Sequence, residues 1–317
     1  MAFGFVKEKS IVDNAKNHLN KKYVYNIDLK DFFHSFDRNR VKLAFIYEPF
    51  NLNGDKEPLA FLLASLCTHP IVIEKELKIV LPQGSPTSPT LTNVLCVTLD
   101  RRLNGLAKKE NAKYSRYADD ITFSSDCNIF SKPSFQNELK RIVEENQSLV
   151  INPTKTRLQN KFYRQEVTGL TVGDKVNVQK RYVKQIRMWI YYWEKYGYLK
   201  AQQIFSVDYK KDKGHLSKNQ PNLTNVLEGK LNYLKMVKGE DDSTYLKLKN
   251  RFTQLKDKNE CFSLSEIITI WEKFGIEEAM SSYYSKDFIL KPINTYKKLI
   301  IDQINFDDFN FNNNLIK

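Results

Sequence analysis

Three aspartates on predicted strands constrain the fold of this chain more than any other feature of its sequence. Residues 22–29 alternate in side-chain character with a period of two, which predicts a half-buried strand with Asp28 near its C-terminal end. Asp119 and Asp120 lie between two short β-forming segments within residues 114–125, which predicts a hairpin with both acids at its tip. Helical and strand patterns mix along the rest of the chain, so we expect an α+β fold.

The chemistry of clustered carboxylates indicates what such a site does. Their charges repel one another, and their pKa values rise unless a cation lies among them. Mg²⁺ prefers oxygen ligands and is commonly held by one or two carboxylates together with substrate phosphates, and two such ions can stabilise an in-line phosphoryl transfer. We therefore predict a metal-dependent phosphoryl-transfer site, although Asp28 alone is also typical of an acid that ends or caps a strand. The Asp pairs at 241–242 and 307–308 are interpreted as solvated surface pairs.

The charge of the chain favours a polyanionic partner. Its 317 residues include 50 Lys and Arg against 37 Asp and Glu, a net charge of +13. Residues 175–260 contain 19 Lys and Arg against 9 Asp and Glu, so most of the excess lies there. Lys180, Lys184 and Arg187 recur at helical spacing beside an apolar stripe, which favours a helix that meets a phosphate backbone. A helix with solvated basic residues is the alternative for the same pattern.

Composition excludes several other classes of protein. The four cysteines are far apart and form no CxxC pair, and no signal peptide precedes them (Cys67, Cys96, Cys127 and Cys261). This indicates a reducing compartment, the cytoplasm, without a disulfide framework or structural zinc. No apolar stretch approaches the length of a membrane span, so no membrane is expected as a partner.

Three motifs occur in the order and rough spacing that reverse transcriptases have. Residues 26–33 read NIDLKDFF, residues 81–86 read LPQGSP and residues 117–120 read YADD. Two further patterns, NAKNH at 14–18 and VTG at 167–169, resemble elements of the bacterial retron branch. The chain is therefore similar to retron-type reverse transcriptases, which are RNA-directed DNA polymerases, over roughly residues 3–255.

The resemblance implies a right-hand polymerase with an antiparallel-sheet palm backed by helices, partial fingers and a helical thumb. The expected parts are residual fingers at 1–21 and 38–84, a palm at 22–37 and 85–172, a basic thumb at 173–260 and a C-terminal extension at 261–317. Family members carry a longer N-terminal part of the fingers, which this sequence lacks. We expect that part to be truncated, supplied by another polypeptide or encoded upstream of the assigned start.

The resemblance also implies the roles of the acidic residues and of one lysine. Asp28, Asp119 and Asp120 would hold two Mg²⁺ ions, at a site that activates the primer hydroxyl. Lys155 matches the lysine regarded as a general acid for pyrophosphate, and a solvated loop lysine is the alternative. His18, in the NAKNH pattern, is expected to make a structural hydrogen bond rather than to bind metal.

The nucleotide and nucleic-acid contacts follow from the same resemblance. Asp31 and Phe32 match positions whose amides line the triphosphate pocket, and Gln83 and Gly84 match the loop at the incoming nucleotide and template. Phe33 matches the bulky residue that excludes a 2′-OH, with core packing as its alternative. Four residues match the primer grip and an RNA-recognition element (Val167, Thr168, Gly169 and Leu170), with the thumb residues Lys180, Lys184 and Arg187 beside them.

The function implied is that of a retron enzyme that copies its own noncoding RNA. Such enzymes prime from a 2′-OH of the structured RNA and make branched RNA–DNA, called msDNA, in anti-phage defence. Expected partners are that RNA as template and primer, the nascent DNA, deoxynucleoside triphosphates, and an effector protein or the missing fingers segment. The alternatives are another bacterial reverse transcriptase, from a group II intron or a defence system, or a truncated RNA-binding scaffold without polymerase activity.

Overall fold

A computed structural model describes residues 2–73, 75–213 and 221–259, with a few isolated positions between 268 and 280. The expected C-terminal extension at 261–317, with its predicted helix at 264–283, lies outside the continuously described ranges. Within the described residues, no helix combines the length and apolar character needed to cross a membrane. The described cysteines Cys67, Cys96 and Cys127 are free thiols.

The described residues form strands and helices in mixed order. The strands are β1 (Tyr23–Lys30), β2 (His69–Ile73), β3 (Glu76–Val80), β4 (Lys113–Tyr117), β5 (Asp120–Ser125), β6 (Val150–Asn160), β7 (Gln165–Val167) and β8 (Leu170–Val172). The helices are α1 (Ile11–Lys16), α2 (Arg38–Ile46), α3 (Glu57–Cys67), α4 (Ser88–Leu95), α5 (Val97–Lys109), α6 (Pro133–Lys140), α7 (Lys180–Tyr196), α8 (Tyr198–Lys213), α9 (Leu223–Lys238) and α10 (Ser243–Asn259). A π-helical turn (Arg141–Glu145) continues α6.

A four-stranded antiparallel sheet organises the first part of the chain, in the order β4-β5-β1-β6. Central strand β1 pairs with β5 on one side and with β6 on the other. Tyr25, Ile27 and Leu29 project from one face of β1 into a buried core formed with helices α2 to α6. The predicted α+β fold, an antiparallel sheet backed by helices, is confirmed.

The aromatic part of this core packs by edge-to-face contacts. Phe123 of β5 lies 5.5 Å from Phe135 of α6, and Phe130 lies 5.3 Å from Phe135, with interplanar angles of 88° and 78°. All three rings are at most 1% exposed. Each buried ring contributes about 1.5–3 kcal/mol of hydrophobic stabilisation. These contacts hold one face of the sheet against the helices, and polar residues of the strands lie on the other face.

Strand β6 is longer than the sequence predicts. The pattern indicates a strand only at 149–151, followed by a loop, whereas β6 runs to Asn160. Its pairing with β1 shifts between Asn26, opposite Arg157, and Asp28, opposite Asn152. Residues 153–156 therefore form a bulge, at the point where Pro153 has no amide hydrogen to donate to the ladder.

The chain divides into two compact units: one contains residues 1–183 and 234–239, and the other contains residues 184–233 and, among the continuously described residues, 240–259. In the second unit the described residues are helical, as the sequence predicts. Trp193 and Phe252 make an edge-to-face contact of 6.0 Å within it. Helix α8 extends into the segment at 207–222 that the sequence indicates as a loop, because its polar residues are also compatible with a solvated helix face.

Residues 2–5 lie against the β4–β5 hairpin, so closely that no side chain fits between the two backbones at Gly4. The amide of Phe3 donates a hydrogen bond to the carbonyl of Arg116 (2.8 Å), and Asn93 Nδ2 donates to the carbonyl of Gly4 (2.8 Å). A Cβ atom on Gly4 would lie 2.7 Å from the backbone nitrogen of Ala118. Only glycine therefore allows this close approach of two backbones.

Replacing Gly4 by alanine is expected to destabilise the protein by about 1–3 kcal/mol, because the hairpin or residues 2–5 must shift. Thermal unfolding should show a lower Tm. Gly105→Ala is the matched control, since a Cβ at Gly105 of helix α5 meets no atom within 4 Å. A Tm for Gly4→Ala equal to or above that of Gly105→Ala would contradict the close packing.

His18 joins two strands of the sheet. Its Nδ1 lies 2.7 Å from Ser124 Oγ and its Nε2 2.7 Å from Ser115 Oγ, and the ring is fully buried. Burial, followed by the positive charge of Lys113, lowers the pKa of His18 to about 3. The expected structural hydrogen bond is present, made by a neutral imidazole.

This pKa predicts a pH-dependent stability. Between pH 6.5 and about 3, unfolded His18 binds a proton that the folded protein excludes, so the free energy of unfolding falls as pH decreases. Relative to His18→Gln, the wild type should lose about 1.4 kcal/mol per pH unit in this range. Urea unfolding at a series of pH values measures the difference. A difference between the wild type and His18→Gln that does not change with pH would refute the assignment.

Candidate active site

Strand pairing brings the first and last predicted aspartates together. Asp28 on β1 is the direct cross-strand partner of Asp120 on β5, and of Asn152 on β6. Asn152 Nδ2 donates a hydrogen bond to Asp28 Oδ2 (3.0 Å), and Lys155 Nζ lies 3.4 Å from Asp28 Oδ1. The carboxylate of Asp28 is therefore buried, with one polar partner on each oxygen.

The turn that carries Asp119 and Asp120 is tight and strained. It has two residues, Ala118 and Asp119, between β4 and β5. Ala118 adopts a φ of 56°, a left-handed conformation that costs an alanine about 1–2 kcal/mol. The carbonyl of Asp119 accepts a hydrogen bond from the amide of Leu29 (3.2 Å), which ties the turn to the central strand.

A buried arginine supports this turn from behind. Arg116 is fully buried and pairs with Asp100 of helix α5 through Nε to Oδ1 (2.7 Å) and Nη2 to Oδ2 (2.8 Å). Its Nη1 donates to the carbonyl of Ala118 (3.1 Å). Burial alone would lower the pKa of Arg116, but the hydrogen bonds and charge of Asp100 keep it above its usual value. The guanidinium therefore stays charged and holds the strained residue in place.

The carboxylates of the turn repel one another and that of Asp28. Desolvation and the charge of Asp28 raise the pKa of Asp119. Asp120 is exposed as a residue, yet partial desolvation of its carboxyl group and the charges of Asp119 and Asp28 raise its pKa to about 6. The three carboxylates thus lie close enough to repel one another, and the positive charge of Lys155 offsets this repulsion only in part.

These residues open onto a pocket of about 420 Å³. Its lining includes five predicted site residues, Asp28, Asp120, Lys155, Thr168 and Gly169. The other lining residues are Asn26, Ile27, Thr154 and Arg157. The structure thus brings the strand β1 motif, the hairpin motif and the VTG pattern to one cavity, with Lys155 on the bulge of β6 rather than in a loop.

The two patterns that resemble the retron branch also meet. Asn14 of the NAKNH pattern lies on α1, and its Nδ2 is 3.5 Å from Oγ1 of Thr168 in the VTG pattern. Thr168 has a φ of 46° and Gly169 a φ of 80°, so this turn between β7 and β8 is left-handed. Asn14 is fully buried. Helix α1 therefore supports the pocket wall that Thr168 and Gly169 form.

The remaining predicted residues do not line this pocket. Asp31, Gln83 and Gly84 are exposed, whereas Phe32 is 3% exposed and belongs to the core. Phe33 is partly buried and packs against the same core, with its ring 5.5 Å from that of Phe32.

On helix α7 the charged and apolar faces are separated as the sequence predicts. Lys180, Lys184 and Arg187 are exposed. The apolar side of the helix is buried through Ile186, Trp189, Ile190 and Trp193. The three basic residues are therefore available to a ligand.

The carboxylate side chains at the pocket are of the ligand type that magnesium prefers. Within the ranges that the structure describes, no group of three or more His, Cys, Asp or Glu side chains is arranged to hold a metal ion by itself. Asp28 and Asp120 nevertheless line one cavity, and Asp119 lies within their electrostatic reach. Because Mg²⁺ is commonly held by one or two carboxylates plus substrate phosphates, an open site of this kind suits it. Asp28 and Asp120 would hold the ion, with Asp119 beside them.

Sequence reasoning missed one charged residue of the pocket. Arg157 lies two positions after Lys155 on β6 and lines the cavity with it. The alternation of Lys155 and Arg157 is the available signal, but it follows Pro153, and the sequence predicts a strand only at 149–151.

Comparisons with known proteins identify the family of this chain. The family described as "Reverse transcriptase (RNA-dependent DNA polymerase)" matches residues 1–186. The "Retron Ec86 reverse transcriptase" of Escherichia coli is 33% identical over 192 residues, which are 60% of this chain and 55% of that protein. The "Retron Mx65 reverse transcriptase" of Myxococcus xanthus is 33% identical over 249 residues, which are 75% of this chain and 52% of that protein.

A solved structure of telomerase from Candida albicans aligns with 84% of this chain and 54% of that chain, at 11% identity and a TM-score of 0.40. This score is too low to support a structural inference. The chain spans about half the length of the curated relatives it matches. These relatives confirm the predicted resemblance to the retron branch, and the family match covers more than half of the chain. This chain belongs to the reverse transcriptase (RNA-dependent DNA polymerase) family.

Proposed function

We propose that this chain is a retron reverse transcriptase that copies RNA into DNA by magnesium-dependent phosphoryl transfer. The observation that carries the proposal is the cross-strand pairing of Asp28 with Asp120 in a pocket that also contains Lys155. A carboxylate pair at an open pocket suits Mg²⁺, which binds substrate phosphates in turn, and a neighbouring cation offsets part of the phosphate charge.

In the proposed reaction, the primer hydroxyl oxygen attacks the α-phosphorus of a deoxynucleoside triphosphate. The bond between the α-phosphorus and the bridging oxygen breaks, pyrophosphate leaves with that oxygen, and the proton of the primer hydroxyl passes to solvent. Two bound Mg²⁺ ions would supply Lewis-acid activation of the hydroxyl and neutralise the phosphate charge. Asn152 and Lys155 orient the carboxylate of Asp28, and Arg116 holds the turn of Asp119 and Asp120.

Lys155 has a second proposed role as the proton donor to the leaving pyrophosphate. Its side chain is 65% exposed and lines the pocket, with Nζ 3.4 Å from Asp28 Oδ1. The bulge of β6 positions it there without committing its remaining N–H donors. A general acid of this kind contributes typically 10²–10⁴-fold to the rate.

The nucleotide contacts are proposed for residues outside the pocket lining. Phe33 would exclude a 2′-OH, Asp31 and Phe32 would offer backbone amides to the triphosphate, and Gln83 with Gly84 would contact the incoming nucleotide and template. The partly buried position of Phe33 supports a rigid barrier, since its ring packs against the core.

The primer is proposed to be a 2′-OH of a structured noncoding RNA, and the product branched RNA–DNA for anti-phage defence. Structured RNA is recognised mainly through its shape and backbone. The exposed Lys180, Lys184 and Arg187 on α7 support this role. The VTG pattern at 167–169 is the proposed RNA-recognition element, and Gly169 with Leu170 is the proposed primer grip.

Primer extension on an RNA template with Mg²⁺ tests the polymerase proposal. Asp119→Ala should reduce the rate at least about 10³-fold, since the acids stabilise several kcal/mol of transition-state charge. Asp241→Ala, at an exposed residue, is the control and should retain wild-type activity. Wild-type extension no faster than that of Asp119→Ala would reject the proposal and favour an RNA-binding scaffold.

Phe33→Ala should relax sugar discrimination by roughly 10-fold or more, because removal of the ring makes room for a 2′-OH. The measurement is the ratio of ribonucleotide to deoxynucleotide incorporation in single-nucleotide extension. Phe162→Ala, which removes a ring that is 84% exposed, is the control and should leave the ratio unchanged. An unchanged ratio in Phe33→Ala would assign Phe33 to core packing alone.

A further inference from the structure

A second cation lies in the pocket besides Lys155. Arg157 on β6 is opposite Asn26 of β1, and it lines the same cavity as Asp28 and Asp120. Its side chain is 56% exposed, so a ligand that enters the cavity can reach the guanidinium. The proposed phosphoryl-transfer mechanism assigns no role to this residue.

A buried carboxylate orients Arg157 from below. Arg157 Nη2 lies 3.7 Å from Glu166 Oε2, and Glu166 is 8% exposed. Glu166 is itself held by Arg164 Nε and Gln179 Nε2, each 2.8 Å from Oε1. The Glu166 carboxylate is thus fixed through Oε1. The contact of Oε2 with Arg157 is longer, so most of the five N–H donors of Arg157 remain for a ligand.

The two walls of the cavity differ in charge. Asp28 and Asp120 form an acidic wall, whereas Lys155 and Arg157 on β6 form a basic one. Gly169, across the cavity, has a φ of 80° and open space where a Cβ would lie, so a strand can approach its backbone closely. A planar guanidinium beside such an opening matches the geometry of a phosphate, which it binds through paired hydrogen bonds.

We propose that Arg157 binds a backbone phosphate of the nucleic-acid strand whose end lies at the carboxylates. The inference rests on the proposed function, since it names a contact to the primer strand in the same pocket. The two cations of the basic wall then have different roles: Arg157 positions the strand, and Lys155 acts on the leaving group.

The phosphates of a triphosphate could bind Arg157 through the same hydrogen bonds as a backbone phosphate. Two measurements distinguish these two ligands. A fluorescently labelled DNA primer annealed to an RNA template reports strand binding by anisotropy, at several salt concentrations and without catalysis. Primer extension reports the KM for deoxynucleotide. Arg164→Gln is the matched control, because Arg164 is 59% exposed and also pairs with Glu166 but does not line the cavity.

Arg157→Gln should weaken duplex binding roughly 10-fold and make the salt dependence shallower by about one phosphate contact. Arg157→Lys should restore the salt dependence but only part of the affinity, because an ammonium group lacks the planar fork. Arg164→Gln should stay within about twofold of wild type, since Gln179 still holds Glu166.

Equal losses in Arg157→Gln and Arg164→Gln would overturn the proposal, and so would a raised deoxynucleotide KM with unchanged duplex binding. If the wild type extends the primer no faster than Asp119→Ala does, the proposed polymerase function is rejected. The anisotropy measurement does not depend on catalysis and still tests the role of Arg157.

Discussion

The buried ion pair between Arg116 and Asp100 is the interaction on which the site depends. A fully buried guanidinium must keep its counter-charge, because leaving either partner unpaired costs about 3–5 kcal/mol. The pair joins β4 to α5, and the third donor of Arg116 reaches the carbonyl of Ala118. One interaction therefore links the helical layer, the sheet and the strained turn that presents Asp119, and residues 2–5 close over the same turn.

The bulge of β6 has a comparable role on the other side of the carboxylates. A regular antiparallel ladder would point consecutive side chains to alternate faces of the sheet. The inserted residues at 153–156 instead place Lys155 near the carboxylate of Asp28, while Asn152 still donates to it from the ladder. The sheet thus supplies acids from β1 and β5 and cations from β6, so that opposite charges meet at one pocket.

Much of the fold and the acidic half of the site could be predicted from local pattern. The apolar face of β1, the hairpin around Ala118 and the apolar stripe of α7 follow from periodicity, because periodicity reports which side of an element is buried. The length of β6 and the role of Arg157 could not be predicted. The segment after Ile151 contains Pro153 and polar residues, and it becomes a strand only because β1 offers it a hydrogen-bonding edge.

The sequence by itself determined the types of most elements, the three aspartates, the family resemblance and the uneven charge, since each is a property of residues close together in the chain. Only the tertiary structure decided that Asp28 pairs with Asp120, that His18 bridges two serines, and that Lys155 and Arg157 face the acids. The physical reason is register: pairing between strands about 90 to 130 residues apart depends on the packing of the whole sheet, and a shift of one residue would turn every side chain to the opposite face.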